Sequence, residues 1–465
     1  MFRRVVLALV GAFFVSTSSW AQNGHLLLGV GAVNSSMGGA GTAVPIEVIG
    51  ALHLNPALLV DLVGENQVGF SVNLFKDSPQ ATATFSGSRV GAPPDGAYLT
   101  SGSTEPGVIP AIGFSYHPKD SNWAVGFGLL GVAGFRTDWP QDPNNPVFRP
   151  QPDGFGSVKT NLAISKIPIA LAYRVMPNMS VGVSVNVYQG GLSISPLPPA
   201  APDCTRPRPG SGRAVDCVFA DANNVVSAYA VGVQAGVHYQ MNQVWSIGVS
   251  YTSTQNFDDY VWNSQVALSF LRNAAGTVTP NPDLGKARTV RYPLDGPQIV
   301  SAGLGMRANP KLKLGVDGRW VKYDTVDGAG GVGGFKPDHS LNDIGWRNIW
   351  VGAIGAEYQS SDHLSLRAGF NYGQTPIREE VAFSSLGTPP TFQDNYTFGL
   401  GWKATDKLEF NVGAYYSPRR DVTGPLLSPF LVDSPQTLEQ QRVPGGTFTI
   451  SEKLISGLVA LNYRF

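Results

Sequence analysis

Over much of the chain, apolar and polar side chains alternate one for one. Residues 311–321 set Leu312, Leu314, Val316, Gly318 and Trp320 on one side and Lys311, Lys313, Asp317 and Arg319 on the other. Residues 363–372 repeat the pattern, with Leu364, Leu366, Ala368, Phe370 and Tyr372 against His363, Ser365, Arg367 and Asn371. Residues 407–416 do so again, with Leu408, Phe410, Val412, Ala414 and Tyr416 against Lys407, Glu409, Asn411 and Tyr415. A period of two is that of a β-strand whose faces meet different surroundings. Lipid outside and a polar lumen inside would impose this contrast. Fourteen such strands are predicted, at about residues 66–86, 107–117, 123–135, 158–175, 179–194, 225–240, 244–256, 295–308, 311–323, 345–359, 363–373, 391–404, 407–417 and 454–465.

The connections supply the topology. Six are very short (118–122, 176–178, 241–243, 309–310, 360–362 and 405–406) and alternate with long ones. Short periplasmic turns, long external loops and an even strand count are the layout of a bacterial outer-membrane barrel. Within the loop at 257–294, Val261 to Phe270 is expected to form an extra hairpin without changing the count. Tyr116, Trp123, Tyr239, Trp245, Tyr358 and Trp402 flank the short turns, as an interfacial girdle would. The last strand sets Ile455, Gly457, Val459, Leu461, Tyr463 and Phe465 against Ser456, Leu458, Ala460, Asn462 and Arg464. Its closing Tyr463 and Phe465 resemble the C-terminal signal by which the barrel assembly machinery takes up its clients. The expected fold class is therefore all-β, a 14-stranded antiparallel transmembrane barrel.

Composition agrees with this. Charged residues are 14% and glycines number 55, yet beyond the N-terminus no apolar run approaches the roughly 20 residues of a spanning helix. The 33 basic and 33 acidic residues cancel, so neither nucleic acid nor an anionic surface is an implied partner. Residues 1–21 read as a signal peptide. Arg3 and Arg4 precede an apolar run from Val5 to Val15, and small residues lead to a cut after Ala21. Cys204 and Cys217 lie in a proline-rich loop, and in an oxidising compartment they are expected to pair. With no histidine nearby in sequence, a metal site is not expected.

Residues 22–64 do not alternate. They run through Gln22, Asn23, Gly24, His25 and Leu26, then a glycine-dense stretch at 35–43, then Asn55, Pro56 and Ala57. Asn55 before Pro56 reads as an N-cap and first helical position, starting a short helix through Leu59. The segment is too long and apolar for a tail, and the lumen of a fourteen-stranded barrel has room for it as a hatch.

The glycine-rich start, the Asn-Pro-Ala box, the run Asn122 to Gly126, and Leu366 to Tyr372 followed by Thr375-Pro376-Ile377 together resemble the FadL/TodX family of transporters. The resemblance implies a monomeric barrel, closed by an N-terminal hatch and embedded among outer-membrane lipids and lipopolysaccharide. It would pass a hydrophobic small molecule, such as a long-chain fatty acid or aromatic hydrocarbon, from an external groove to an inner pocket. Release would follow through a lateral opening at a kink in the third strand. The resemblance puts the gating and ligand-binding residues at Gln22, Asn23, Gly24, His25 and Leu26, in a stretch reaching Gly29, and the hatch box at Asn55, Pro56 and Ala57. The lateral opening falls to Gly126, Gly128, Gly131 and Gly134 of the third strand, and the groove to the loops at 136–157, 196–224 and 257–294. The loop that holds Cys204 and Cys217 departs from better-known members and bears on the shape of the entry. The lumen-facing Lys313, Asp317, Arg319, Arg367, Asn371, Glu409, Asn411 and Arg464 are expected to brace the wall around its plug.

Gly126 to Gly131 also spells a dinucleotide fingerprint. That motif requires a helix opening at its last glycine, and here a membrane strand runs through it. The six histidines are scattered and no Gly-x-Ser-x-Gly turn occurs, so neither a cofactor nor an enzyme is expected. A general diffusion porin for small polar solutes is the alternative reading, and an outer-membrane enzyme with a triad assembled across strands is the third.

Overall fold

The structure, a computed structural model, describes residues 23–62, 64, 66–87 and 93–465. The expected signal peptide, its cleavage site and Gln22 lie outside these residues.

Strands β1 (Asn66–Phe85), β2 (Gly107–Tyr116), β3 (Trp123–Trp139), β4 (Val158–Met176), β5 (Met179–Ser195), β6 (Ala222–Gln240) and β7 (Trp245–Thr252) form the first half of the barrel. Strands β8 (Gln298–Asn309), β9 (Leu312–Lys322), β10 (Ile349–Gln359), β11 (Leu364–Gly373), β12 (Asp394–Lys403), β13 (Leu408–Leu427) and β14 (Arg442–Arg464) form the second. Each pairs antiparallel with the next, and β1 also pairs with β14 from Gln67↔Arg464 to Phe85↔Gly446, which closes the ring at fourteen. Above Phe75 the second edge of β1 is covered by a short extra strand, Gly96–Ser101.

The alternation has the predicted meaning. Phe127, Ile169, Val231, Phe398 and Ile455 are each more than half exposed on the outer wall, while Lys166, Gln234, Asp317 and Arg367 are buried on the inner one. Strands outrun their expected ends most at the loop side, where β3 continues to Trp139, β13 to Leu427, and β14 begins at Arg442. Beyond the bilayer neither face meets lipid, so the apolar–polar contrast fades while the hydrogen-bond ladder continues. In β13 the ladder shifts register across Pro418 and again just after Pro425, positions where proline has no N–H to donate.

At the loop end, Tyr260–Gln265 pairs with Ala287–Tyr292 and Phe270–Arg272 with Val278–Pro280, so the loop at 257–294 holds hairpins and the strand count stands. Cys204 and Cys217 are joined in a small two-stranded piece. The expectation of no neighbouring histidine fails in space. His339, from a loop far along the chain, brings a ring nitrogen within 4.8 Å of both sulfurs, which the disulfide engages.

Residues 23–62 lie inside the ring. They form α1 (Ala32–Ser36), α2 (Val48–Leu54) and a 3₁₀ turn at Pro56–Asp61. Glu47 caps α2, accepting from the N–H groups of Ile49 (2.8 Å) and Gly50 (2.6 Å), and Asn55 caps the 3₁₀ turn through Ala57 N–H. The helices α1 and α2 left no periodic mark in the sequence because they are short and buried nearly all round.

The polar inner wall holds this segment. Asp317 Oδ2 accepts from Gly41 N–H (3.0 Å), Thr42 N–H (2.9 Å) and Thr42 Oγ1 (2.7 Å). Arg319 donates to the carbonyls of Leu28 and Gly39. Arg367 links Glu357 (2.8 Å), Glu409 (3.1 Å) and Asn411 (2.6 Å), while Lys313 joins Glu357 and Arg464 joins Glu409. Asp61 gathers Arg174, Ser180 and His238 at the turn end.

Candidate functional site

Strand β3 departs from regularity at one point. Its ladder with β4 carries a bulge between Gly131 and Ala133, leaving Val132 as the extra residue. One extra residue inverts the facing of everything beyond it. Accordingly Ala124 and Leu130 face inward at even positions, and Phe135, Thr137 and Trp139 face inward at odd ones. The ladder between β2 and β3 ends at Ala111↔Leu130, just where the bulge begins.

The N-terminal residues take up the freed edge. Leu27 N–H donates to Val132 C=O (3.1 Å), Gly134 N–H donates to His25 C=O (2.8 Å), and Leu26 bridges Ala133. His25 stacks on Trp346, with ring centroids 6.0 Å apart, and its Nδ1 meets Tyr323 Oη at 3.1 Å. Burial pushes its imidazole pKa down to about 4. The turn that delivers His25 needs Gly24 at φ +71°, where any Cβ would also strike the Tyr323 ring.

Behind this stretch lies a cavity of about 70 Å³, lined by Asn23, His25, Leu26, Leu27 and Val132 together with His53, Ile164, Lys166, Tyr188, Gln234 and Arg319. Toward the loop end the same strands line a second, almost wholly apolar cavity of about 60 Å³, through Phe135, Thr160 and Ile194. Phe155, Phe335, Phe383 and Leu386 complete it. A third space, about 520 Å³, opens among the loops and shares Phe155 and Phe383 with the second. Arg213 lies over the Phe430 ring there, 4.4 Å from its centroid.

Of the residues singled out in sequence, Asn23, His25 and Leu26 line the inner cavity, and Gly24 turns the chain beside it. Gly131 and Gly134 flank the bulge, whereas Gly126 and Gly128 lie below it and make room for Leu52 and Leu59. Asn55, Pro56 and Ala57 sit away from the cavity and moor the segment to the wall. Asn55 Nδ2 donates to Thr42 C=O (2.9 Å) and Val237 C=O (3.1 Å), and a Cβ on Gly236 or Gly182 would collide with the box. The expected loops at 136–157 and 196–224 do line the outer spaces, but the loop at 257–294 contributes little beyond Tyr292. Phe335, Phe383 and Phe430, from loops not singled out, do more. Lys166 was missed as well. Its signal was a lone charge in the run from Leu162 to Leu171, where Ser165 is the other polar residue.

Solved structures share this architecture. A Pseudomonas aeruginosa FadL homologue superposes with a TM-score of 0.68 at 15% identity, over 95% of this chain and 100% of its own. The P. putida toluene transporter TodX gives 0.65 at 15% identity, over 94% and 99%. Outer membrane protein P1 of Haemophilus influenzae is 23% identical over 403 residues, covering 81% of this chain and 82% of that protein. The match to the family described as outer membrane protein transport protein (OMPP1/FadL/TodX) extends over residues 12–425. The protein thus belongs to the OMPP1/FadL/TodX family, and is a barrel-forming transport protein of the outer membrane rather than an enzyme.

Proposed function

We propose that the protein takes up hydrophobic small molecules passively, such as long-chain fatty acids or aromatic hydrocarbons, and releases them through the barrel wall. The observation that carries this reading is the gap in the β2–β3 ladder, closed by residues 25–27 where the inner cavity abuts the wall. Each methylene gains about 0.8 kcal/mol by staying out of water, so a greasy solute favours an apolar path that ends in lipid. The spaces sharing Phe155 and Phe383 provide its upper part. The inner cavity of about 70 Å³ has room for a few waters at roughly 15 Å³ each, so passage requires the N-terminal stretch to move. The filled lumen argues against the diffusion-porin reading.

Pairing Leu26→Cys with Ala133→Cys puts a latch across the bridge. Oxidation is expected to reduce uptake of a hydrophobic probe to the level of cells lacking the protein, and reduction to restore it. Unchanged uptake by the latched protein would refute the wall as exit.

A further inference from the structure

Segments far apart in the sequence meet at the outer end of the barrel. Cys204 and Cys217 pair across the small two-stranded piece, Cys217 fully buried, and His339 arrives from the loop between β9 and β10. A ring nitrogen of His339 and the two sulfurs all lie within 4.8 Å of one another. The histidine is held firmly in place. It is 6% exposed, its backbone N–H donates to Lys336 C=O (2.9 Å), and Leu341 N–H donates to Pro198 C=O (2.7 Å), which ties its turn to the cysteine loop. Its backbone lies at φ +68°, a region that residues with a Cβ occupy only where their surroundings impose it. Its Nδ1 meets Pro429 C=O at 2.7 Å. A carbonyl only accepts, so Nδ1 carries the proton and Nε2 keeps its lone pair, as in metal-binding imidazoles whose other nitrogen donates to a backbone carbonyl. A disulfide needs no imidazole beside it, whereas two thiolates and an imidazole are the ligands of a thiophilic cation.

We infer that this cluster, once its disulfide is reduced, is a zinc site with Cys204, Cys217 and His339 as ligands and water in the fourth position. A tetrahedral zinc sets its ligand atoms roughly 3.5 Å apart, within reach of the present spacing by small side-chain shifts. Two molecules of a small thiol exchange with the disulfide. They are oxidised to their own disulfide, and their two hydrogens end on Cys204 and Cys217. Zn²⁺ then displaces both thiol protons to solvent, and His339 adds its lone pair without losing a proton. The metal takes over from the covalent cross-link, so the loop at 196–224 stays clasped to the turn that carries His339 in either redox state. The site stands apart from the uptake reading, since none of its three ligands lines the inner cavity.

The test uses the full-length protein in reconstituted membranes, reduced with a monothiol that is then removed without air, and Zn²⁺ alone as the probe. The reduced wild type is expected to bind about one Zn²⁺ per chain that the oxidised protein does not bind. Zn²⁺ should also return residues 196–221 of the reduced protein to the protease resistance of the oxidised one. His339→Ala should weaken binding by about 100-fold or more, since even the outer partners of a metal ligand typically account for 10–100-fold, while His339→Cys, which keeps a soft ligand, should bind tightly. Equal zinc binding by reduced and oxidised wild type, a comparison that needs no variant to fold, would overturn the assignment. So would an affinity unchanged by His339→Ala, since the imidazole would then only pack against the disulfide.

Discussion

Replacing Asp317 by alanine should loosen the plug while leaving the barrel closed. Asp317 sits in the middle of β9, yet its Oδ2 serves the lumen segment, accepting from the backbone of Gly41 and Thr42 and from the Thr42 hydroxyl. A hydrogen bond to a charged group contributes about 1.5–3 kcal/mol, and three sharing one oxygen are not additive, so the loss is about 3–6 kcal/mol. Arg319 loses its nearest carboxylate as well. At about 1.4 kcal/mol per factor of ten, the undocked population of the segment rises roughly 10²- to 10⁴-fold. Two assays read this: single-channel conductance in planar bilayers, which should show frequent openings, and protease cleavage within residues 23–62. Heat-dependent migration on gels should report an intact barrel. Asp317→Asn, which keeps an acceptor, should give a smaller effect. An alanine variant with wild-type conductance and full protection would mean that this carboxylate does not hold the plug.

Further outcomes follow from the same contacts. Arg367→Met leaves Glu357 with Lys313 and Glu409 with Arg464 as remaining partners and should destabilise the barrel by about 1.5–3 kcal/mol in a denaturant titration, with Glu357→Gln and Glu409→Gln recovering part of it. Gly236→Ala drives a methyl into the Asn55 side chain and should cost about 1–3 kcal/mol, seen as faster proteolysis of the plug. Burial depresses the His25 pKa from 6.5 to about 4 and also lowers that of His53, so the unfolded or undocked chain binds protons more readily. Docking should be at full strength above pH 6.5 and weaken as pH falls toward 4, and His25→Gln should flatten much of that dependence in conductance recordings. Cys204→Ser removes a cross-link contributing about 3 kcal/mol by loop-closure entropy, and should raise cleavage within residues 196–221 without altering the barrel.

The strands were legible because two solvents wrote them. Lipid selected Leu364, Leu366 and Phe370, and the lumen selected Arg367 and Asn371, leaving a period of two that recurs along the barrel strands. The upper parts of β13 and β14 were not legible, since above the bilayer both faces meet protein or water and Pro418 and Pro425 break the rhythm. The plug hid α1 and α2 for the opposite reason, because residues buried on every side carry no periodicity. Glycine content singled out the strand that carries the bulge, but only Gly131 and Gly134 flank that irregularity. The change of facing between Leu130 and Thr137 left no mark, because Arg136 and Asp138 fit the inward set of an unbroken alternation and turn outward only across the bulge. Gln234 was beyond reach and Lys166 showed only as a lysine in a mostly apolar run, since the meaning of both depends on which parts of the chain the barrel brings opposite them.

The seam between β1 and β14 carries a consequence for biogenesis. Gln67 pairs with Arg464 and Phe85 with Gly446, so the ring is completed by the two barrel strands farthest apart along the chain. No local contact can zip this seam, and closing so long a loop is entropically slow. Until it forms, the chain carries two long unpaired edges, each a template for pairing with the wrong strand. Export must therefore deliver both edges to a surface that covers them until the seam is closed.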